Sequence, residues 1–567
     1  MTDPSVNLPD QRATHFPSRR GFLGGAAAAL VLLAAEPALA ASELPGFPSG
    51  VDVRRTAYRN WDGTITATGL WACVPTTPAQ AVAAVNWAHG HGWTVRPRGS
   101  SHGWAPLTLA QDTPADARVL LLDTSRFTGL SLDSPTAVRA GTGVHMETLL
   151  GFLEEHGLGV TAAPAPGDLT LGGVLAIDGH GTAVPATGEE RLPGQTYGSL
   201  SNRVLELTAI VWDGHAYALR TLRREEADCA ALLTHLGRAL VVEAVLRVGA
   251  NSNLRCVSRT DIPAKELFGE GDSGRTFASF VDSAGRVEAI WFAFTEFPWL
   301  KTWSVEPVKP PLSRRVTSPY NYPFSDSIPT SVADLGGRLV ADAAWYLAPV
   351  LGKVQLSAVV LGLAATFSTD LWGPSKNTLL YVKPTTLRVH ANGYAILTSR
   401  PQVQHVVSTF AAFYRKQLDA YAARGQFPIN GAVEIRVTGL DDPADAEHPG
   451  ARAPLLSALT PVPDHPEWDT AVWLDILTLP GTPHAEEFYR ELERFLLASF
   501  DGTDALARVE WSKGWGYTEE EAWSDPEVLE QVIPQTYGQA WGEAAATLQR
   551  LDPHGVFRAP LHDRLFG

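Results

Sequence analysis

Cysteine is nearly absent from this chain, and positive charge is outweighed. Its 567 residues include three cysteines, Cys73, Cys229 and Cys256, an odd and sparse set that excludes a disulfide framework and reads as free, buried thiols. Lys and Arg number 45 against 61 Asp and Glu, a net charge of −16, so the chain lacks the basic surplus that would hold nucleic acid or an anionic membrane by charge. No apolar run is long enough to span a bilayer: Gly21 to Ala35 has 15 residues and Leu356 to Phe367 has 12, short of the roughly 18 required. Internal repeats and long low-complexity tracts are also missing, which excludes solenoids and disordered arrays. His89 and His91 have no third ligand at metal-site spacing, so no metal is expected.

What is present describes a soluble globular protein of two domains, with 45% hydrophobic residues. Residues 1–40 carry Arg19 and Arg20 before the short apolar run, and Ala38-Leu39-Ala40 as an A-x-A-like cleavage site. This looks like a twin-arginine export signal. It predicts a secreted or periplasmic protein, handed to the twin-arginine machinery already folded, so that a cofactor can be installed in the cytoplasm.

Two loops carry the strongest pattern. Pro78 to Gly90 reads as a helix closing on glycine and Trp93 to Val95 as a strand, leading into Arg98, Gly99, Ser100, Ser101, His102 and Gly103. Small residues there let consecutive N–H groups turn toward an anion, with Arg98 adding charge. The second loop, Pro164 to Gly181, contains Pro166, Gly167, Gly172, Gly173, His180 and Gly181 around a short apolar segment, which suits backbone wrapping a large polar ligand. Gly198 and Asn202 follow, before an alternating strand, Val204 to Trp212, and the Asp213-Gly214 hairpin signal. Gly99 to Gly103 also matches the G-x-S-x-G nucleophile elbow around Ser101, although Pro106 stands where a helix would begin. Gly269 to Gly274 matches G-x-G-x-x-G, but Glu270 and Asp272 would repel a pyrophosphate.

Arg98, Gly99 and His102 resemble the R-G-x-x-H loop of the vanillyl-alcohol oxidase type of flavoprotein, whose histidine is bonded to FAD. The resemblance implies an α+β, two-domain vanillyl-alcohol-oxidase-like fold: a PCMH-type FAD domain over 41–250, an inserted mixed-sheet substrate domain over 251–510, and a return to the FAD domain over 511–567. It implies FAD as cofactor, covalent through His102, with Arg98 to Gly103, Pro166, Gly167, Gly172, Gly173, His180, Gly181, Gly198 and Asn202 around it.

Beyond residue 251, Ala289–Glu296, Tyr381–Val389, Ala432–Val437 and Ala471–Leu477 read as strands, and Gln404–Ala423 and Ala485–Phe500 as helices. Alternation puts Glu434 and Arg436 on one strand face and Val433 and Ile435 on the other. Buried side by side, the two charges must pair. With Trp511 to Trp515 and Pro319 to Tyr322, this segment resembles the secreted cholesterol oxidases that bind FAD covalently. That resemblance implies Glu434 as general base held by Arg436, Glu296 as the carboxylate of an isomerisation, Lys513 beside the flavin ring, and Asp475 where the family usually has asparagine. A second acid beside Glu434 would raise one or both pKa values.

The implied activity is oxidation of a 3β-hydroxysterol to the 3-ketosteroid with oxygen as acceptor, isomerisation to the 4-en-3-one, and transient contact with a membrane surface to extract sterol. Trp291, Phe292, Trp299, Trp303 and Trp372 offer apolar walls. An oxidase of sugars or aromatic alcohols, a serine hydrolase using Ser101, and a non-catalytic sterol-binding protein are the alternatives.

Overall fold

Period-two alternation builds the sheet on which the charged residues sit. In the strand Ala432–Gly439, Val433, Ile435 and Val437 are fully buried in the main hydrophobic core, whereas Glu434 and Arg436 face a cavity on the other side. The computed structural model describes residues 44–567 apart from 272, 325–335, 341–342 and 382–387. The export signal expected over residues 1–40 therefore lies outside the described residues.

The large sheet has nine strands in the order Arg314–Arg315, Asp370–Pro374, Asn253–Arg259, Trp299–Val305, Arg286–Phe292, Ala432–Gly439, Thr470–Thr478, His390–Thr398 and Leu506–Val509. All neighbours are antiparallel except the first pair. One face is covered by the helices Val403–Ala423, Ala485–Ser499 and Phe277–Ala284. Their apolar stripes interlock, with Phe413 stacked on Phe495 at 3.8 Å and Tyr414 edge-on to Trp291 at 5.4 Å. Fully buried apolar side chains of this layer, such as Phe410 and Phe488, contribute about 1.5–3 kcal/mol each.

Residues 52–247 form two smaller sheets. One has four strands, Asp52–Arg59, Thr66–Val74, Val119–Asp123 and Thr94–Arg98; the other has five, Leu130–Ser134, Ala137–Gly141, Leu240–Arg247, Val204–Trp212 and Tyr217–Arg223. The helix Pro78–His91 is capped by the Thr77 hydroxyl and runs past Gly90 to Gly92, whose φ of 68° closes it. Near the end of the chain, Val95 N donates to Val556 O at 2.7 Å and Arg238 donates to Asp552 at 2.6 Å, tying residues 552–556 to the smaller sheets. The architecture is α+β, with mixed sheets and packed helices in two domains. Cys73, Cys229 and Cys256 are free and buried.

Two strand expectations change. The strand expected over 289–296 spans Arg286–Phe292 and stops where Phe294 takes a left-handed φ of 63°. Most of the strand expected over 381–389 falls outside the described residues, and the next one begins at His390. The apolar run at 356–367 belongs to a longer helix: Trp345–Ala365 is long and apolar enough, by length and composition, to cross a membrane. Its inner face is engaged in the fold, since Val359 and Leu363 pack with Trp299, Tyr322 and Phe324, while Leu361 and Phe367 on the outside are 70% and 80% exposed.

Candidate active site

A cavity of about 480 Å³ runs between the loops of the smaller sheets and the open face of the nine-stranded sheet. The strand Thr94–Arg98 delivers the first loop to it. Ser101 adopts a left-handed φ of 57°, the backbone turn on which an anion-binding nest is built. Ser100 Oγ donates to Asp168 O at 2.5 Å. His102 stacks on Trp61 at 4.4 Å, and its Nε2 meets Asp168 Oδ2 at 3.0 Å, so Nδ1 is the ring nitrogen without a partner among the described residues. This bond to His102 outweighs burial and holds the Asp168 carboxyl below its ordinary range.

Arg98, Gly99, Ser100, Ser101, His102, Gly103, Pro166, Gly172, Gly173, His180 and Gly181 all line the cavity. The glycines let the loops close on each other. A Cβ at Gly99 would stand 2.0 Å from Thr170 Oγ1, and one at Gly181 2.7 Å from Ala163 N. Arg98 pairs with Asp123 at 2.9 Å. Three residues expected around the cofactor lie off the cavity wall. Gly167 gives its N–H to Tyr381 O, Gly198 packs against Asp441, and Asn202 is clamped between Arg224 and Asp442 O. Their small or polar character serves loop packing instead.

The nest, the backbone walls and the partnerless His102 Nδ1 fit FAD. So do two buried polar atoms on the wall that have no hydrogen-bond partner among the described residues, His235 Nδ1 and Trp299 Nε1. Ser101 has no hydrogen-bonded histidine among the described residues, and no helix follows it, which removes the basis for a nucleophile elbow.

Strand register assembles the charged cluster. Glu288 lies directly across from Arg436, Glu434 across from Asp475, and Gly393 across from Asp475 on the other side. Arg436 donates through Nε to Glu288 Oε1 at 2.8 Å, through Nη1 to Asp475 Oδ2 at 2.8 Å, and through Nη2 to Glu434 Oε2. Lys301 donates to Glu288 Oε2 at 3.0 Å. Lys513 lies 3.8 Å from Asp475 and 3.9 Å from Glu510, with its ammonium 4.2 Å above the Trp104 ring. His180 stacks on Trp473 at 3.5 Å.

Burial is the largest influence on His180, Asp475, Glu288 and Lys513, and neighbours decide its outcome. It pulls His180 down to about 4. Burial, then Glu510, pushes Asp475 up to about 7. For Glu288 burial is outweighed by Lys301 and Arg436, which hold it at about 2; for Lys513 it is outweighed by Asp475 and Glu510, which keep the ammonium charged.

Glu296 does not join this cluster. It is exposed, lies beyond the strand end and is absent from the cavity wall. Glu288, on the inward face of that strand, is the carboxylate that this strand brings to the cavity. Sequence reasoning misses it because the strand starts three residues earlier than expected. Alternation counted from Arg286 would have found it, and alternation in Trp299, Lys301 and Trp303 would have found Lys301. Asp168 and Glu510 carry no such signal.

The loops, the cavity and the charged cluster define an FAD-dependent oxidoreductase acting on a CH–OH group. A family described as "Cholesterol oxidase, substrate-binding" matches residues 253–567, and an "FAD binding domain" matches residues 71–220. The chain belongs to the cholesterol oxidase family. It is 52% identical to a solvent-stable cholesterol oxidase, with a TM-score of 0.91 over 93% of this chain and 100% of that one. It is 42% identical to cholesterol oxidase from B. sterolicum, with a TM-score of 0.90 over 94% of this chain and 100% of that one. A chitooligosaccharide oxidase, 10% identical with a TM-score of 0.54 over 89% of this chain and 93% of that one, shares the fold alone. No match is found among curated proteins.

Proposed function

We propose that the protein oxidises the 3β-hydroxyl of a cholesterol-like sterol to the ketone, with FAD bonded through His102. The observation that carries this reading is one continuous cavity joining the backbone-walled loops at His102 to Glu434, Arg436 and Lys513, beneath an apolar wall of Ile290, Trp299, Trp303, Tyr320 and Tyr322. A rigid, apolar substrate with a single hydroxyl suits such a space, and sterol oxidases at 52% and 42% identity support the choice.

FAD, when bound, supplies the hydride acceptor. Glu434 takes the hydroxyl proton, a contribution of about 10²–10⁴-fold for a positioned general base. Arg436 holds that carboxylate in place, and Lys513 brings positive charge to the cavity to stabilise negative charge as it develops. The apolar wall excludes water. Asp168 holds the His102 ring by Nε2, leaving Nδ1 to bond the cofactor.

Oxygen as acceptor, giving hydrogen peroxide, and isomerisation to the 4-en-3-one belong to the same reading. Glu288, kept ionised by two cations, is too weak a base for the isomerisation, so Glu434 also moves that proton. The exposed Leu361 on the helix Ala348–Ala365 and the exposed Phe367 just past its end support contact with a sterol-bearing membrane surface. Arg19 and Arg20 support export by the twin-arginine route, and lysine at both positions is expected to leave precursor inside the cell. Anaerobic mixing with cholesterol tests the activity: the flavin bleaches and a 3-ketosteroid appears, while an alditol leaves it oxidised. Bleaching by the alditol alone would refute the sterol reading.

A further inference from the structure

Two acidic oxygens in the cavity wall face each other with no donor between them. Asp475 Oδ2 accepts from Arg436 at 2.8 Å, and Glu510 Oε1 accepts from Ser512 Oγ at 3.1 Å. The other oxygens, Asp475 Oδ1 and Glu510 Oε2, are buried and accept no hydrogen bond among the described residues. Both overhang Gly393, where a Cβ would stand 2.7 Å from the first and 2.9 Å from the second. The two carboxyl groups therefore converge on one point above Gly393. Ionised carboxylates only accept, so a bond between them requires a proton on one of them.

We propose that Asp475 and Glu510 share a single proton, and that this dyad is the positioning element that holds the Lys513 ammonium in the cavity and sets the pH dependence of the site. Lys513 lies between the dyad's outer oxygens, 3.8 Å from Asp475 Oδ2 and 3.9 Å from Glu510 Oε1. With one shared proton, Glu288, Glu434 and the dyad carry three negative charges against Arg436, Lys301 and Lys513. Losing that proton adds a fourth negative charge and sets two carboxylates against each other; their repulsion pushes them apart, and the ammonium drawn to both shifts from the position the protonated pair gives it.

The groups facing the dyad come from every neighbouring element. Arg436 and Glu434 lie on the strand Ala432–Gly439, His180 is 3.9 Å from Glu510, and Asn392 adjoins Gly393 with its own Oδ1 unpartnered. Glu288 and Lys301 act through Arg436. Burial, reinforced by Glu510, pushes Asp475 up to about 7, so the proton stays in acid and leaves as pH rises through neutrality.

The inference rests on the oxidase reading for its catalytic consequence, but the shared proton is observable without turnover. Infrared spectra of the oxidised holoenzyme, without substrate, are expected to show a deuterium-sensitive protonated-carboxyl band that both Asp475→Asn and Glu510→Gln abolish. In either variant an amide N–H takes the place of the proton, so each should fold, retain Lys513 in place and lose the inflection near neutral pH from its sterol-turnover profile. Asp475→Ala, which supplies no donor, should lower turnover at every pH. A band that persists in both amide variants, or an unchanged pH profile in Asp475→Asn, overturns the proposal. A band that behaves as expected in a protein that does not oxidise sterol refutes the oxidase reading and the catalytic role while leaving the shared proton.

Discussion

Glu288 and Arg436 stand directly opposite each other on adjacent antiparallel strands, joined by a 2.8 Å bond from Nε to Oε1. The remaining guanidinium nitrogens reach Asp475 and Glu434, so one planar cation holds three carboxyl groups from three strands. Lysine cannot reproduce that fork. Arg436→Lys is expected to lower sterol turnover by about 10²-fold or more, the scale of a mispositioned general base. Steady-state turnover within a few-fold of wild type would remove Arg436 from this role.

Glu288 and Glu296 are separated by the same geometry. Glu288→Gln weakens the anchor of both Arg436 and Lys301 and should reduce turnover and raise KM. Glu296→Gln, at an exposed position outside the cavity, should leave both oxidation and product isomer unchanged. Accumulation of the 5-en-3-one in Glu296→Gln would show that the exposed carboxylate reaches the substrate after all.

The bond from His102 Nε2 to Asp168 sets a second expectation. Wild-type flavin should remain with the acid-precipitated pellet, whereas His102→Ala should release it to the supernatant. Asp168→Ala frees the ring to turn and should give a mixture of bound and released flavin. Full release from wild-type protein would rule out the covalent bond.

The outer face of the helix Ala348–Ala365 invites a comparison of substrate presentations. Replacing Leu361 on that face and Phe367 just past the helix end by glutamate places charge on side chains that are 70% and 80% exposed, so folding should be little affected. Turnover of cholesterol in vesicles should fall while turnover of detergent-dispersed cholesterol is retained. An equal loss with both presentations would place the effect inside the pocket.

Local pattern was sufficient wherever one element decides the outcome. Alternation in Val433 to Arg436 puts the two charges on one face, and the helices at Val403–Ala423 and Ala485–Ser499 follow from their apolar spacing to within a residue. The glycines at 99, 172, 173 and 181 signal a backbone-walled loop. Those at 167 and 198 look identical in sequence yet serve contacts with Tyr381 and Asp441, residues more than 200 positions away.

By itself the sequence determined which faces carry charge, where the small-residue loops fall and that the thiols are unpaired, because periodicity, turn chemistry and cysteine count are properties of neighbouring residues. The tertiary structure alone decided which charges meet. Arg436 finds Glu288 at a separation of 148 residues and Asp475 at 39. Those partners depend on strand order and register, and a strand end misplaced by a few residues exchanges Glu288 in the cavity for Glu296 in solvent. Burial then acts on the groups so assembled: Lys301 and Arg436 overcome it to hold Glu288 charged, while Asp475 and Glu510 are left together with their charge less well offset.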